Sequence, residues 1–204
     1  MTPFTAVAGL ATVLTQGDLL QGNQARANID TDQIIPARFL RKPRSDGYNN
    51  FLFYDARAAD PGFPLSPSGN RPILIAGLNF GCGSSREGAV YALVDAGIRC
   101  VMALGFGDIF STNAGKNGLL TVVLPPDDHA AVLRAAADGV ELTVSLPDQQ
   151  IRFGNQVMDF PIDLFLKRCL LNGLDDIGLT LDESARIAAF EVADSKRRPW
   201  SIPD

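Results

Sequence analysis

The chain has a single histidine and three cysteines among its 204 residues, and that scarcity restricts its chemistry more than any other feature of the composition. Cys82, Cys100 and Cys169 lie far apart, without a C-x-x-C pair, which does not read as a secreted disulfide framework. With His129 alone, a His-rich zinc site and a Ser-His-Asp triad are both poorly supplied. Positive charge is short as well: 18 Lys and Arg against 23 Asp and Glu leave a net charge of −5. That balance provides no electrostatic footprint for nucleic acid. No apolar run approaches the roughly 20 residues a membrane span needs, and Met1 to Leu14 lacks a positive n-region and a convincing cleavage site. The expectation is a soluble cytoplasmic protein with neither a nucleic-acid nor a membrane partner. Its acid–base chemistry, if any, has to come from groups other than histidine, or in part from another chain.

What is present is a substantial apolar content, 46% of residues, enough for a core without disulfide or metal staples. At this size roughly 70% of the extended-chain surface is hidden on folding. The expected organisation is one domain spanning 1–204. Thr5 to Leu14 reads as a short strand. Asn28 to Leu40 places an acidic turn before an apolar run broken by Pro36. Arg41 to Arg71, rich in Pro, Gly, Asn and Arg, reads as a long loop. The middle is clearer: Pro72 to Phe80 as a buried strand, Gly81 to Ser85 as a turn, Arg86 to Ala96 as a helix and Ile98 to Phe106 as a second strand. Together they predict a parallel βαβ unit. A Gly/Asn-rich link, STNAGKNG, then leads to a third apolar run ending at Pro125. Further on, a helix over Asp127 to Ala137, strands at Val140 to Leu146 and Gln150 to Phe153, and an amphipathic helix over Pro161 to Asn172 are expected. Thr180 and Glu183 fit a capping box for a last helix, and 196–204 reads as a solvated, frayed tail.

The turn GCGSSRE, Gly81 to Glu87, is where an α/β sheet builds a site, at the C-terminal end of a strand. Its glycines let a ligand approach the main chain, and the following helix presents unpaired N–H groups and its positive end. Ser84 and Ser85 add hydroxyls, and Arg86 adds a fork matched to carboxylate or phosphate. The same residues fit a capping box, Ser84 with Glu87, and both readings stand on the local pattern. A dinucleotide-binding reading is weaker, since G-x-G-x-x-R lacks the third glycine. Cys82 has no histidine near it in sequence and reads first as a small turn residue. Asp30, Thr31 and Asp32 fit either a metal site or an Asx turn. His129 is expected in the exposed first turn of its helix. Arg38, Arg41, Lys42 and Arg44 form either a solvated loop or a second carboxylate clamp.

Taken in order, NIDTDQIIPARFL, NFGCGSSRE, GFGDIF and LNGLDDIGLTL, from about Asn28 to Val192, resemble the small subunit of 3-isopropylmalate dehydratase. This is a family of the aconitase superfamily. The resemblance implies an α/β fold of the swivelling, layered β/β/α type, like the mobile C-terminal domain of aconitases, around a central βαβ unit. It implies a large dehydratase subunit as partner, in a heterodimer or heterotetramer. That partner carries a [4Fe–4S] cluster, with none bound by this chain, and the substrate is a small dicarboxylate. The implied reaction interconverts 2-isopropylmalate and 3-isopropylmalate through isopropylmaleate, in leucine and so branched-chain amino acid biosynthesis.

Residue by residue, the resemblance makes Ser84 the base, working as an alkoxide. It gives Ser85 and Arg86 to a substrate carboxylate and matches Asp32 to the acidic residue of the T-D motif. It likens the stretch after IIPAR to the substrate-selecting loop, with Arg41 the first choice there and Arg44 the alternative. The chain departs from the pattern where it reads SSREGAV rather than SSREHAP, with Gly88 in place of histidine. A glycine inside a helix costs about 1 kcal/mol relative to alanine. The stretch before NIDTD is also longer than the family's usual lead-in. A paralogue acting on another alkylmalate/maleate pair or homoaconitate is one alternative. A stand-alone anion-binding α/β domain is another, of a different class.

Overall fold

The computed structural model describes residues 1–15, 24–65 and 71–201. The first apolar stretch is not one strand but two. β1 (Ala6–Gly9) and β2 (Ala11–Val13) flank Leu10 and belong to different sheets. The step falls after Gly9, whose φ is +152° and where a Cβ would stand 3.1 Å from Pro72 Cδ.

β2, β3 (Ile73–Ile75), β4 (Cys100–Ala103) and β5 (Leu120–Val123) form a parallel sheet in that order. Every residue of β2, β3 and β4 is buried, as a parallel sheet covered on both faces requires. The period of two sorts the side chains. Ile73, Ile75, Cys100, Met102, Leu120 and Val122 enter one apolar cluster, whereas Leu74, Ala76, Val101 and Ala103 enter another.

The first cluster is closed by the second sheet. There β1, β6 (Leu142–Ser145), β7 (Gln150–Phe153) and β8 (Gln156–Asp159) pair antiparallel in that order. The strand β8 is additional to those expected. Phe153 pairs with Gln156, leaving Gly154 and Asn155 as a two-residue hairpin turn. The other cluster is closed by α1 (Thr31–Ile34), α2 (Tyr54–Ala59), α3 (Glu87–Asp95) and α4 (Asp108–Lys116). The layers are therefore sheet, sheet, helices. α5 (Pro126–Ala137) and α6 (Leu164–Asn172) pack Val132, Ala135 and Leu170 into the inter-sheet cluster.

Four local expectations are corrected. The stretch from Arg41 onward is folded rather than a plain loop. It holds 3₁₀ turns at Arg44–Asp46 and Tyr48–Phe51, then α2, and it buries Tyr48, Leu52, Phe53 and Leu65; residues 66–70 of it lie outside the described residues. The Gly/Asn-rich link is helix α4, because burial of Phe110, Ala114 and Gly115 on one face overrides weak local propensity. The capping box at Thr180 and Glu183 does not form. Thr180 lies inside α7 (Asp176–Asp182), which Asp175 caps through the Gly178 amide at 2.8 Å. α8 (Ser184–Arg197) follows with no side-chain cap. Arg197 and Arg198, expected in a frayed tail, pair with Asp194, and 202–204 lie outside the described residues.

Candidate active site

Two loops that are far apart in sequence are laid edge to edge. The Gly81 amide donates to the Ile29 carbonyl at 2.7 Å, and the Thr31 amide donates to the Cys82 carbonyl at 2.9 Å. This short parallel pairing brings the start of α1 against the turn before α3. On the other flank the Phe80 amide donates to the Gly105 carbonyl (3.0 Å) and the Gly107 amide to the Phe80 carbonyl (2.9 Å). Gly81 is demanded twice over: its φ is +72°, and a Cβ there would lie 2.2 Å from Phe110 Cγ. The turn is thus gripped from both sides by main chain, the rigidity that a site built on a loop requires.

Ser84 and Ser85 are exposed at the tip of this turn. The capping-box reading of Ser84 is overturned. Arg86 occupies the N-cap position without a side-chain cap bond, and Glu87 accepts from Asn117 Nδ2 at 2.8 Å. Ser84 Oγ instead lies 3.2 Å from Thr31 Oγ1, and the Thr31 hydroxyl donates to the Ser84 carbonyl at 3.1 Å. Asp32 forms an ion pair with Arg86 through Oδ1 and Nη1. A guanidinium has five N–H donors, so Arg86 is held in place while its fork keeps donors for an incoming carboxylate. Asp30 does not join them: it caps α1, accepting from the Gln33 amide at 2.7 Å.

The basic cluster is sorted by its partners. Arg38 pairs with Asp55, Lys42 lies 5.4 Å from the Phe51 ring, and Arg44 is committed to Asp95, with Nε 3.0 Å from Oδ2. Arg41 is exposed and makes no ion pair among the described residues. It follows Leu40, the residue a Cβ at position 88 in the first turn of α3 would touch. Arg41 therefore starts from the helix end that carries Ser85 and Arg86.

Cys82 is only partly accessible. Burial, followed by the charge of Asp30, pushes its thiol up, keeping it protonated at neutral pH and unsuited to nucleophilic attack. Cys100 is buried between the sheets and Cys169 is buried on α6. Among the described residues no group of three or more His, Cys, Asp or Glu is placed to hold a metal ion. The three cysteines do not fit a cluster site.

Residues 63–127 match the aconitase C-terminal domain, and residues 176–203 match the C-terminal domain of the 3-isopropylmalate dehydratase small subunit. A 3-isopropylmalate dehydratase small subunit from Xanthobacter autotrophicus is 44% identical over 98% of this chain and 100% of its own length. The chain belongs to the 3-isopropylmalate dehydratase small-subunit family. Another small subunit of that name, from Acidobacterium capsulatum, is 50% identical over 81% of this chain and 82% of its own. A crystal structure of 3-isopropylmalate dehydratase from Methanocaldococcus jannaschii aligns with a TM-score of 0.64 at 27% identity. It covers 91% of this chain and 99% of that one.

Within this small-subunit fold, two features of the site leave no trace in the local sequence. Thr31 has the local pattern of a turn former and no more; its contact with Ser84 spans 53 residues. His129 is buried rather than exposed, with Nε2 2.7 Å from the Ala76 carbonyl oxygen, just past the end of β3 on the way into the turn.

Proposed function

We propose that this chain is the small subunit of a heteromeric hydro-lyase that interconverts 2-isopropylmalate and 3-isopropylmalate through isopropylmaleate, a step of leucine biosynthesis. Ser84 carries the reading: a serine exposed on a rigid turn, free of capping duty, beside a buried threonine hydroxyl and two residues before an arginine fork. The dehydration breaks a C–H bond next to a carboxylate, and its electron pair forms the C=C bond as hydroxide leaves. Ser84 Oγ takes that proton as the base. Arg86 and the start of α3 stabilise negative charge on Oγ, the direction a serine base needs. Ser85, Arg86 and Arg41 hold the two substrate carboxylates, and Asp32 orients Arg86.

This half-site needs a partner. The reading assigns a [4Fe–4S] cluster, acting as a Lewis acid on the substrate hydroxyl, to the large subunit. Partner binding is supported by the C-terminal arm. α8 buries no residue, and Ile177, Leu181, Phe190 and Trp200 are 60–79% exposed.

The test is anaerobic co-expression with a large subunit and assay against a series of alkylmalates. Turnover of the isopropyl compound above the others supports the reading. Better turnover of a different alkylmalate or homoaconitate moves the substrate. Failure of any iron–sulfur partner to associate, with no dehydratase activity, overturns it in favour of a stand-alone anion-binding domain.

A further inference from the structure

Gly88, Tyr91 and Asp95 are spaced i, i+3, i+7 and so share one face of α3, and all three face the segment that holds Arg41. At the N-terminal end, a Cβ on Gly88 would stand 2.6 Å from Leu40 Cδ2 and 3.4 Å from Tyr48 Cε2. One turn on, the Tyr91 ring lies 6.2 Å from the Tyr48 ring and 4.2 Å from the Arg44 guanidinium. At the far end, Arg44 Nε is 3.0 Å from Asp95 Oδ2. The Tyr48 hydroxyl also donates to the Lys42 carbonyl at 3.0 Å, bracing the main chain one residue past Arg41.

We propose that Gly88, Tyr91 and Asp95 form a positioning rail that seats residues 40–48 on α3, and that the missing side chain at Gly88 sets where Arg41 stands relative to Ser85 and Arg86. The inference rests on the reading of Arg41 as a carboxylate-binding residue. It assigns Gly88 a role in substrate binding. A methyl at position 88 has to push the end of the Leu40 side chain aside; where the main chain of residues 40–41 moves with it, Arg41 is displaced, whereas the serine turn, anchored from its own flanks, stays in place.

The reconstituted holoenzyme tests this with Gly88→Ala, Leu40→Ala and the double variant. Gly88→Ala is expected to raise KM about tenfold or more while kcat changes little, the pattern of lost substrate binding. In the double variant KM returns to the level of Leu40→Ala alone, because the methyl now has room. A readout independent of turnover is trypsin cleavage after Arg41 and Arg44 in the isolated chain, which should quicken in Gly88→Ala. If Gly88→Ala does not fold, Asp95→Asn at the other end of the rail is expected to give the same KM rise and the same faster cleavage. Unchanged KM in a folded Gly88→Ala or Asp95→Asn variant overturns the rail, as does a KM rise that Leu40→Ala fails to relieve. An unchanged KM in Arg41→Ala overturns the reading beneath it. An inactive wild-type holoenzyme overturns the proposed function, and the cleavage assay still reports whether the rail seats the segment.

Discussion

The Thr31 hydroxyl donates to the Ser84 carbonyl at 3.1 Å and stands 3.2 Å from the Ser84 hydroxyl, joining residues 53 apart in sequence. A hydroxyl has one hydrogen. With that of Thr31 given to the carbonyl, Ser84 is the donor in the contact between the two hydroxyls. Once Ser84 loses its proton, the Thr31 O–H is positioned to turn and donate to the oxyanion. Thr31→Val keeps the shape and removes this donor. A hydrogen bond to a charged group contributes about 1.5–3 kcal/mol, so kcat of the holoenzyme is expected to fall roughly ten- to hundredfold. Thr31→Ser is expected to retain most activity. Equal kcat in Thr31→Val and wild type would remove Thr31 from the mechanism.

Ser84→Ala separates base from helix cap. The N-cap position of α3 is Arg86, and Ser84 Oγ makes no cap bond. The variant is therefore expected to unfold within about 1 kcal/mol of wild type, the scale of one modest hydrogen bond. Turnover should fall by roughly 10²–10⁴-fold or more, the usual contribution of a general base. Retained activity with lowered melting temperature would return Ser84 to a structural role.

The parts of this fold legible in the sequence are those whose signal is local. The βαβ unit around Ile73–Ile75, α3 and Cys100–Ala103 is readable because both strands are buried on both faces and so run as unbroken apolar stretches. α4 is not. Ser111, Thr112, Asn113 and Gly115 carry no helical preference, and Gly115 is there because a Cβ would stand 2.4 Å from Leu166 Cδ1 of α6. The site divides the same way. The serine turn announces itself through its glycines, whereas its partner Thr31 and the seat of Leu40 on Gly88 exist only once distant segments meet. The capping box at Ser84 and Glu87 fails for a related reason: Asn117, just past the C-terminal end of α4, takes the glutamate.

The exposed C-terminal arm sets a third expectation. Leu164, Phe165, Ile177, Leu181, Phe190, Val192 and Trp200 are each more than half exposed, apolar surface of the kind a stable interface covers. Replacing Ile177 and Phe190 together with aspartate is expected to weaken association with the large subunit about thirtyfold or more, as when a buried anchor is lost. The melting temperature of the isolated chain should stay nearly unchanged, since neither side chain is buried within it. Undiminished association, measured by titration of the two purified proteins, would place the interface elsewhere.

His129 sets the last expectation, in pH. Its side chain is buried on α5, and Nε2 lies 2.7 Å from the Ala76 carbonyl oxygen, which accepts and so fixes the hydrogen on Nε2. Burial lowers its pKa from the ordinary 6.5, and the carbonyl opposes this only in part. The folded value then lies below the unfolded one, so between the two the unfolded chain binds more protons. Stability falls as pH drops through that window, beginning near the unfolded value and complete below the folded one. With a single histidine in the chain, one imidazole resonance reports the titration directly, and its midpoint is expected below 6.5. His129→Gln, which offers an N–H without the charge, should flatten the stability profile from roughly pH 7 downward until carboxylates begin to titrate. A midpoint at or above the ordinary value would mean that the imidazolium is tolerated inside, and that the contact to Ala76 outweighs burial.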